Sequence, residues 1–321
     1  MKNLVRNILS ALFTILVFNA SAQTNGRDFN AIDAYVKSLG PLDSMSMGTI
    51  NNVVSNKFTD KIDKARAIYY WIAHNITYDV KSTRNNNKLK NTPADVLLTR
   101  KATGIGFANL FQDMCSSADI RCLTVDGFVK YNTQQIGEKD EEINHSWAVV
   151  QLGQSPEDWY YVDPAFGSGY LNAEMKEFTK AYTDAYFFTE KETFNLQHFP
   201  DNQAWKLGSA PKNKGDFFDM PVVRVSAIEL GIKKLSPNDG KIKAKLNKAV
   251  KFSFTLKSTE EITKVALGVG EKKKYKVEEI QYSASGNILS FTYKFQDANA
   301  YPVTVFVNGK EFVLYYAEVE E

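Results

Sequence analysis

The stretch that decides the fold is Asn144-His145-Ser146-Trp147-Ala148-Val149-Val150-Gln151-Leu152, Gly153-Gln154-Ser155-Pro156-Glu157, Asp158-Trp159-Tyr160-Tyr161-Val162-Asp163-Pro164. Two apolar and aromatic runs of strand length flank five turn-forming residues, so the spacing predicts paired strands over 145–152 and 158–163. Antiparallel pairing brings the start of the first beside the end of the second, which sets His145 next to Asp163. Upstream, a strand is expected over 122–129. It follows a helix over 104–118 that opens on Gly104-Ile105-Gly106 and carries Phe107, Leu110, Phe111 and Met114. A further helix is expected over 60–76, with Ile62, Ala65, Tyr69, Ile72, Ala73 and Ile76 on one face and Thr59 or Asp60 as its cap. Shorter helices are expected at Ile32–Leu39, stopped by Gly40-Pro41, and from Pro93 through Leu98. Helices ahead of strands, without regular βαβ alternation, make this an α+β core.

The pattern changes near residue 220. Phe252, Phe254 and Leu256 alternate with polar residues, as do Leu289, Phe291, Tyr293 and Phe295. Val303, Val305 and Val307 lead into Asn308-Gly309, and Phe312, Leu314 and Tyr316 return. Asn-Gly between alternating runs signals a hairpin, because both residues tolerate the positive φ of a type I′ turn. The expectation is a C-terminal all-β, immunoglobulin-like sandwich over 219–321, behind a core domain over 23–218.

At the N-terminus, Lys2 and Arg6 precede the apolar run Ile8–Phe18, and Ala20-Ser21-Ala22 supplies a small-residue cleavage pattern. Residues 1–22 are therefore expected to be a signal peptide, leaving a secreted or periplasmic chain. The run is shorter than the roughly 20 apolar residues of a spanning helix, and no transmembrane segment is expected in the mature chain. Without Lys2 and Arg6, 37 basic residues balance 37 acidic ones. Such a neutral chain has no electrostatic footprint for nucleic acid. Two cysteines exclude a disulfide-dense scaffold, and three histidines (His74, His145, His198) offer little for a metal centre, so neither metal nor cofactor is expected. Cys115 and Cys122 are separated by six residues. A disulfide and two buried free thiols both fit that spacing.

Four blocks resemble the transglutaminase-like superfamily, especially bacterial relatives of kyphoscoliosis peptidase. They are Lys64–Asp79, Thr99–Phe111, Asn144–Val149 and Trp159–Gly167, and the similarity continues through His198-Phe199-Pro200 and Trp205. The resemblance implies a papain-like fold with a Cys-His-Asp triad, whose cysteine opens the central helix. By motif, His145 takes the histidine position and Asp163 the aspartate position. In the Arg-Lys-Gly-Val-Cys-x-Gly-Tyr pattern of active relatives, the cysteine position falls on Gly104. Glycine has nothing to attack a carbonyl with, and removing a triad nucleophile costs about 10⁶-fold in turnover.

The function expected is thus an exported, catalytically inactive transglutaminase-like protein, a pseudoenzyme whose cleft still binds peptide, glycan or cell-wall polymer. Trp147 and Trp159 are the candidates for lining that cleft. Two other readings remain open. One is an active enzyme that cuts peptide or amide bonds without a cysteine, using His145 and Asp163 to activate water. The other is a structural or interaction scaffold that works through its β-sandwich.

Overall fold

The computed structural model describes residues 26–85, 91–139, 141–172 and 175–321; the expected signal peptide over 1–22 lies outside them. Helices α1 (Asn30–Leu39) and α2 (Met47–Ser55) pack on α3 (Lys61–Asn75). The Asp60 carboxylate caps α3 by accepting the N–H groups of Ile62 at 2.9 Å and Asp63 at 3.3 Å. Helix α4 (Pro93–Thr99) leads to α5 (Gly104–Ser117). Ile68, Trp71 and Ile72 of α3 meet Phe107, Leu110, Phe111 and Met114 of α5 in one buried cluster. A Cβ on Gly106 would lie 2.6 Å from Asn91 Oδ1 and 2.9 Å from Ala102 Cβ, so this glycine lets the preceding segment approach the helix.

The sheet behind α5 comprises β1 (Arg121–Val129), β2 (His145–Gln151), β3 (Trp159–Val162), β4 (Phe187–Thr189) and β5 (His198–Pro200). Their order is β4-β3-β2-β1-β5, and every pair is antiparallel. Strand periodicity divides β2 between two cores. Ala148 and Val150 join Val162 in the cluster under the helices. Trp147 and Val149 join Tyr161 in a second cluster that continues into the C-terminal half. Both faces are covered, which is why the strand reads as a nearly unbroken apolar run.

The C-terminal half is all strand apart from short helical turns. One sheet has the order Val222–Val223, Lys310–Glu320, Ala300–Val307, Val265–Val269, Lys276–Glu279, with Lys241–Lys245 added parallel to Lys310–Glu320. The other runs Lys234–Ser236, Ala249–Thr255, Ile288–Lys294, Tyr282–Ser285. Phe252, Phe254 and Phe291 from the second sheet pack with Val303, Val305 and Tyr315 from the first. Asn308 and Gly309 both have positive φ, 51° and 78°, as the predicted hairpin requires. The two halves share apolar core, and hydrogen bonds cross between them. Arg224 Nη1 donates to the Tyr131 carbonyl at 2.9 Å, Thr193 Oγ1 to Ile232 at 2.7 Å and Gln197 Nε2 to Val223 at 3.0 Å. Mixed helix and sheet is therefore the observed class.

A candidate site built on His145, Asp163 and His198

His145 opens β2 opposite Gly127, and Asp163 follows the last residue of β3. Asp163 caps the short helix α6 (Pro164–Ser168): its Oδ1 accepts the N–H groups of Ala165 at 2.9 Å and Phe166 at 3.0 Å. That fixes the carboxyl plane and turns Oδ2 toward two imidazoles. His145 Nε2 lies 2.6 Å away and His198 Nε2 3.1 Å away, and all three side chains are 0% exposed. Burial alone would raise the pKa of Asp163, but the charge and hydrogen bond of His145, then the hydrogen bond and charge of His198, hold it far below the usual carboxylate range. An ionised carboxylate only accepts, so each Nε2 carries the shared proton.

His145 Nδ1 then faces the start of α5 and has no hydrogen-bond partner. A Cβ on Gly104 would lie 2.7 Å from this nitrogen, 3.1 Å from Cε1 of the same ring and 3.3 Å from the Ser146 nitrogen. The imidazole thus rests in the space where a side chain at 104 would begin. Phe166 covers the ring at a centroid distance of 4.5 Å, and Trp147 lies at 6.2 Å. His198 stacks on Phe194 at 3.9 Å, and burial pushes it down to about 4 against the opposing pull of Asp163.

Chemically, this is an imidazole oriented by a carboxylate, with its Nδ1 turned to a residue that has no side chain. Thr103, beside Gly104, spends its hydroxyl on Asn91 Oδ1 at 3.2 Å and does not cap its own helix. Cys115 and Cys122 are buried free thiols in the helix-side cluster, the second of the two alternatives left open above. Burial, then contact with Cys122, pushes the Cys115 thiol up, opposite to what a nucleophile needs. Among the described residues, His145, Asp163 and His198 are the one His/Cys/acid group whose ligand atoms converge, within 4.8 Å of one another. Both imidazoles direct Nε2 to the same oxygen, and the Nδ1 atom of each is buried without a hydrogen-bond partner.

Trp147 and Trp159 do not line the cavity near this site. Trp147 is fully buried on the sheet face that the C-terminal half covers, and Trp159 packs on Trp205 at 5.1 Å. The cavity instead lies on the other side of Phe166, has a volume of about 540 Å³, and is walled by Tyr78, Tyr131, Phe166, Tyr182 and Tyr186. The sequence reading also gave His198 no role beyond the resemblance. Its only local signal is a histidine opening a short strand, and its partner stands 35 residues away.

Residues 49–164 match the family model of the transglutaminase-like superfamily. The chain carries a transglutaminase-like domain. Kyphoscoliosis peptidase from Mus musculus is 34% identical over 172 residues, covering 52% of this chain and 26% of the relative. The Homo sapiens protein of that name is 32% identical over 195 residues, covering 60% and 28%. Hillarin from Drosophila melanogaster is 25% identical over 223 residues, covering 65% and 26%. The chain thus spans about a quarter of the length of each. The matched segment of the transglutaminase-like domain contains Gly104, His145 and Asp163, whereas His198 lies beyond it. Among the described residues, no helix is long and apolar enough to cross a membrane.

Proposed function

We propose that this chain is an exported, catalytically silent transglutaminase-like protein that holds a peptide, glycan or cell-wall polymer without cleaving or joining it. Its mature chain begins after residue 22, its transglutaminase-like domain extends to about residue 218, and an immunoglobulin-like sandwich follows. In this reading Gly104 replaces the family's nucleophilic cysteine, and His145 with Asp163 is the remnant of the triad. One observation carries it: His145 Nδ1 points, unpartnered, at a residue with no side chain, and the ring fills the nucleophile's place. Covalent catalysis needs an atom that forms the bond, and an imidazole with its aspartate supplies only the proton transfer.

Water activation by His145 has less support, because the pair is sealed from solvent and water lacks the alignment of a tethered nucleophile. The test is peptide hydrolysis and glutamine–amine crosslinking by the full chain, beside His145→Ala. Both proteins should match buffer alone. Turnover that His145→Ala abolishes would refute the proposal.

A further inference from the structure

The two sheets of the C-terminal half carry their outward charges differently. On the sheet that contains Lys310–Glu320, lysines stand beside acids. The parallel register sets Lys243 next to Glu318 and Lys245 next to Glu320, so each cation has a carboxylate within cross-strand reach. The opposite sheet is built from Lys234–Ser236, Ala249–Thr255, Ile288–Lys294 and Tyr282–Ser285, and no Asp or Glu occurs in any of these four strands.

Strand alternation decides which side chains of that sheet turn outward. Phe252, Phe254, Leu289 and Phe291 turn into the core between the sheets. Lys234, Lys251 and Lys294 turn the other way and are exposed. Lys251 stands opposite Thr292 and Lys234 opposite Thr255. Among the described residues none of the three lysines has an acidic partner. Lys251 and Lys294 are diagonal neighbours about 7–8 Å apart. Lys234 lies about 14 Å from Lys251, four residues along the adjacent strand. Between Lys234 and the other two, a row of serines crosses the whole sheet, with Ser236, Ser253, Ser290 and Ser283 in register.

Three cations without a counter-charge fit a partner that carries several anionic groups. The aromatic rings of these strands pack with the core, Tyr282 and Tyr293 included, so the face offers none on which a nucleobase could stack. Among its described residues Ile288 is the one exposed large apolar side chain, far less than the apolar face that an interfacial membrane element buries. The serine row instead offers donors and acceptors of the kind that sugar hydroxyls pair with. We propose that this sheet face binds an anionic polysaccharide, with its carboxylate or sulfate groups on the lysines and its hydroxyls along the serine row. The surface belongs to the C-terminal half and does not depend on whether the His145–Asp163 pair is silent.

The test is calorimetric titration of the full chain with polygalacturonate and with dextran sulfate, beside neutral dextran, a DNA duplex and phosphatidylglycerol vesicles. At about 0.1 M salt at least one anionic polysaccharide should bind and dextran should not; which one binds tells carboxylate from sulfate recognition. At about 1 M salt, where the screening length falls from about 10 Å to about 3 Å, binding should be lost. Lys234→Gln, Lys251→Gln and Lys294→Gln, all at exposed positions, should each weaken it about 2- to 5-fold. The triple variant Lys241→Gln, Lys243→Gln and Lys245→Gln on the other sheet removes as much charge as all three together and should change it less than 2-fold. Failure of both anionic polysaccharides to bind would overturn the proposal, as would binding that the three single variants leave intact. Equal weakening by the triple variant would overturn it too, by reducing the effect to net charge. Tighter binding of the duplex or the vesicles than of either polysaccharide would overturn the choice of partner.

Discussion

Gly104→Ala, read through a double-mutant cycle with His145→Ala, tests how the ring and the helix start fit together. The new Cβ would stand 2.7 Å from His145 Nδ1, where an unstrained contact is about 3.5 Å. The ring must therefore retreat by about 0.8 Å. Behind it lies Asp163 Oδ2 at 2.6 Å, and that carboxylate is itself pinned by the amides of Ala165 and Phe166. Overpacking of this kind costs about 1–3 kcal/mol, and the gain in helix propensity returns up to about 1 kcal/mol. Gly104→Ala should thus destabilise the wild-type chain by about 1–2 kcal/mol. With His145 already replaced by alanine the clash is gone, and the same change should be neutral or stabilising. The coupling of about 2 kcal/mol exceeds the roughly 0.5 kcal/mol scatter of independent sites. Urea unfolding of the four proteins reads it directly. A midpoint that rises equally in both backgrounds would refute the packing argument.

Acid should act through His198. Its folded value of about 4 lies below the ordinary 6.5, so the unfolded chain binds the proton more readily between those values. Stability is full above about pH 6.5 and falls by about 3 kcal/mol as pH drops toward 4. Comparing urea midpoints at pH 7 and 4.5, His198→Phe should show a smaller loss than wild type. An equal loss would assign the acid limb to other groups. Cys115 and Cys122 should resist a thiol reagent in the native chain and react on unfolding. Rapid reaction under native conditions would contradict their burial.

Much of the framework was legible because it rests on local rules. The turn at 153–157 and the apolar runs beside it gave the β2–β3 pair, and Asn308-Gly309 gave a hairpin that only positive φ permits. Asp60 at a helix start is equally local. The His145–Asp163 contact was legible because the antiparallel pairing dictates it. Helix α2 escaped notice because its apolar stripe is thin, with Ile50 and Val54 set among Asn51, Asn52 and Ser55. Trp147 was misassigned to a cleft because alternation alone does not say what covers each face, and here the C-terminal half covers one of them. His198 shares Asp163 through a fold-wide closure that no window of sequence contains.

The most direct test of inertness is the intact mass of the full chain after incubation with an activated acyl ester of a glutamine peptide. Any acylation of exposed lysines should be the same in wild type and His145→Ala, because residue 104 offers no atom to acylate. A stable acyl adduct that forms on the native chain and disappears in His145→Ala would contradict the account.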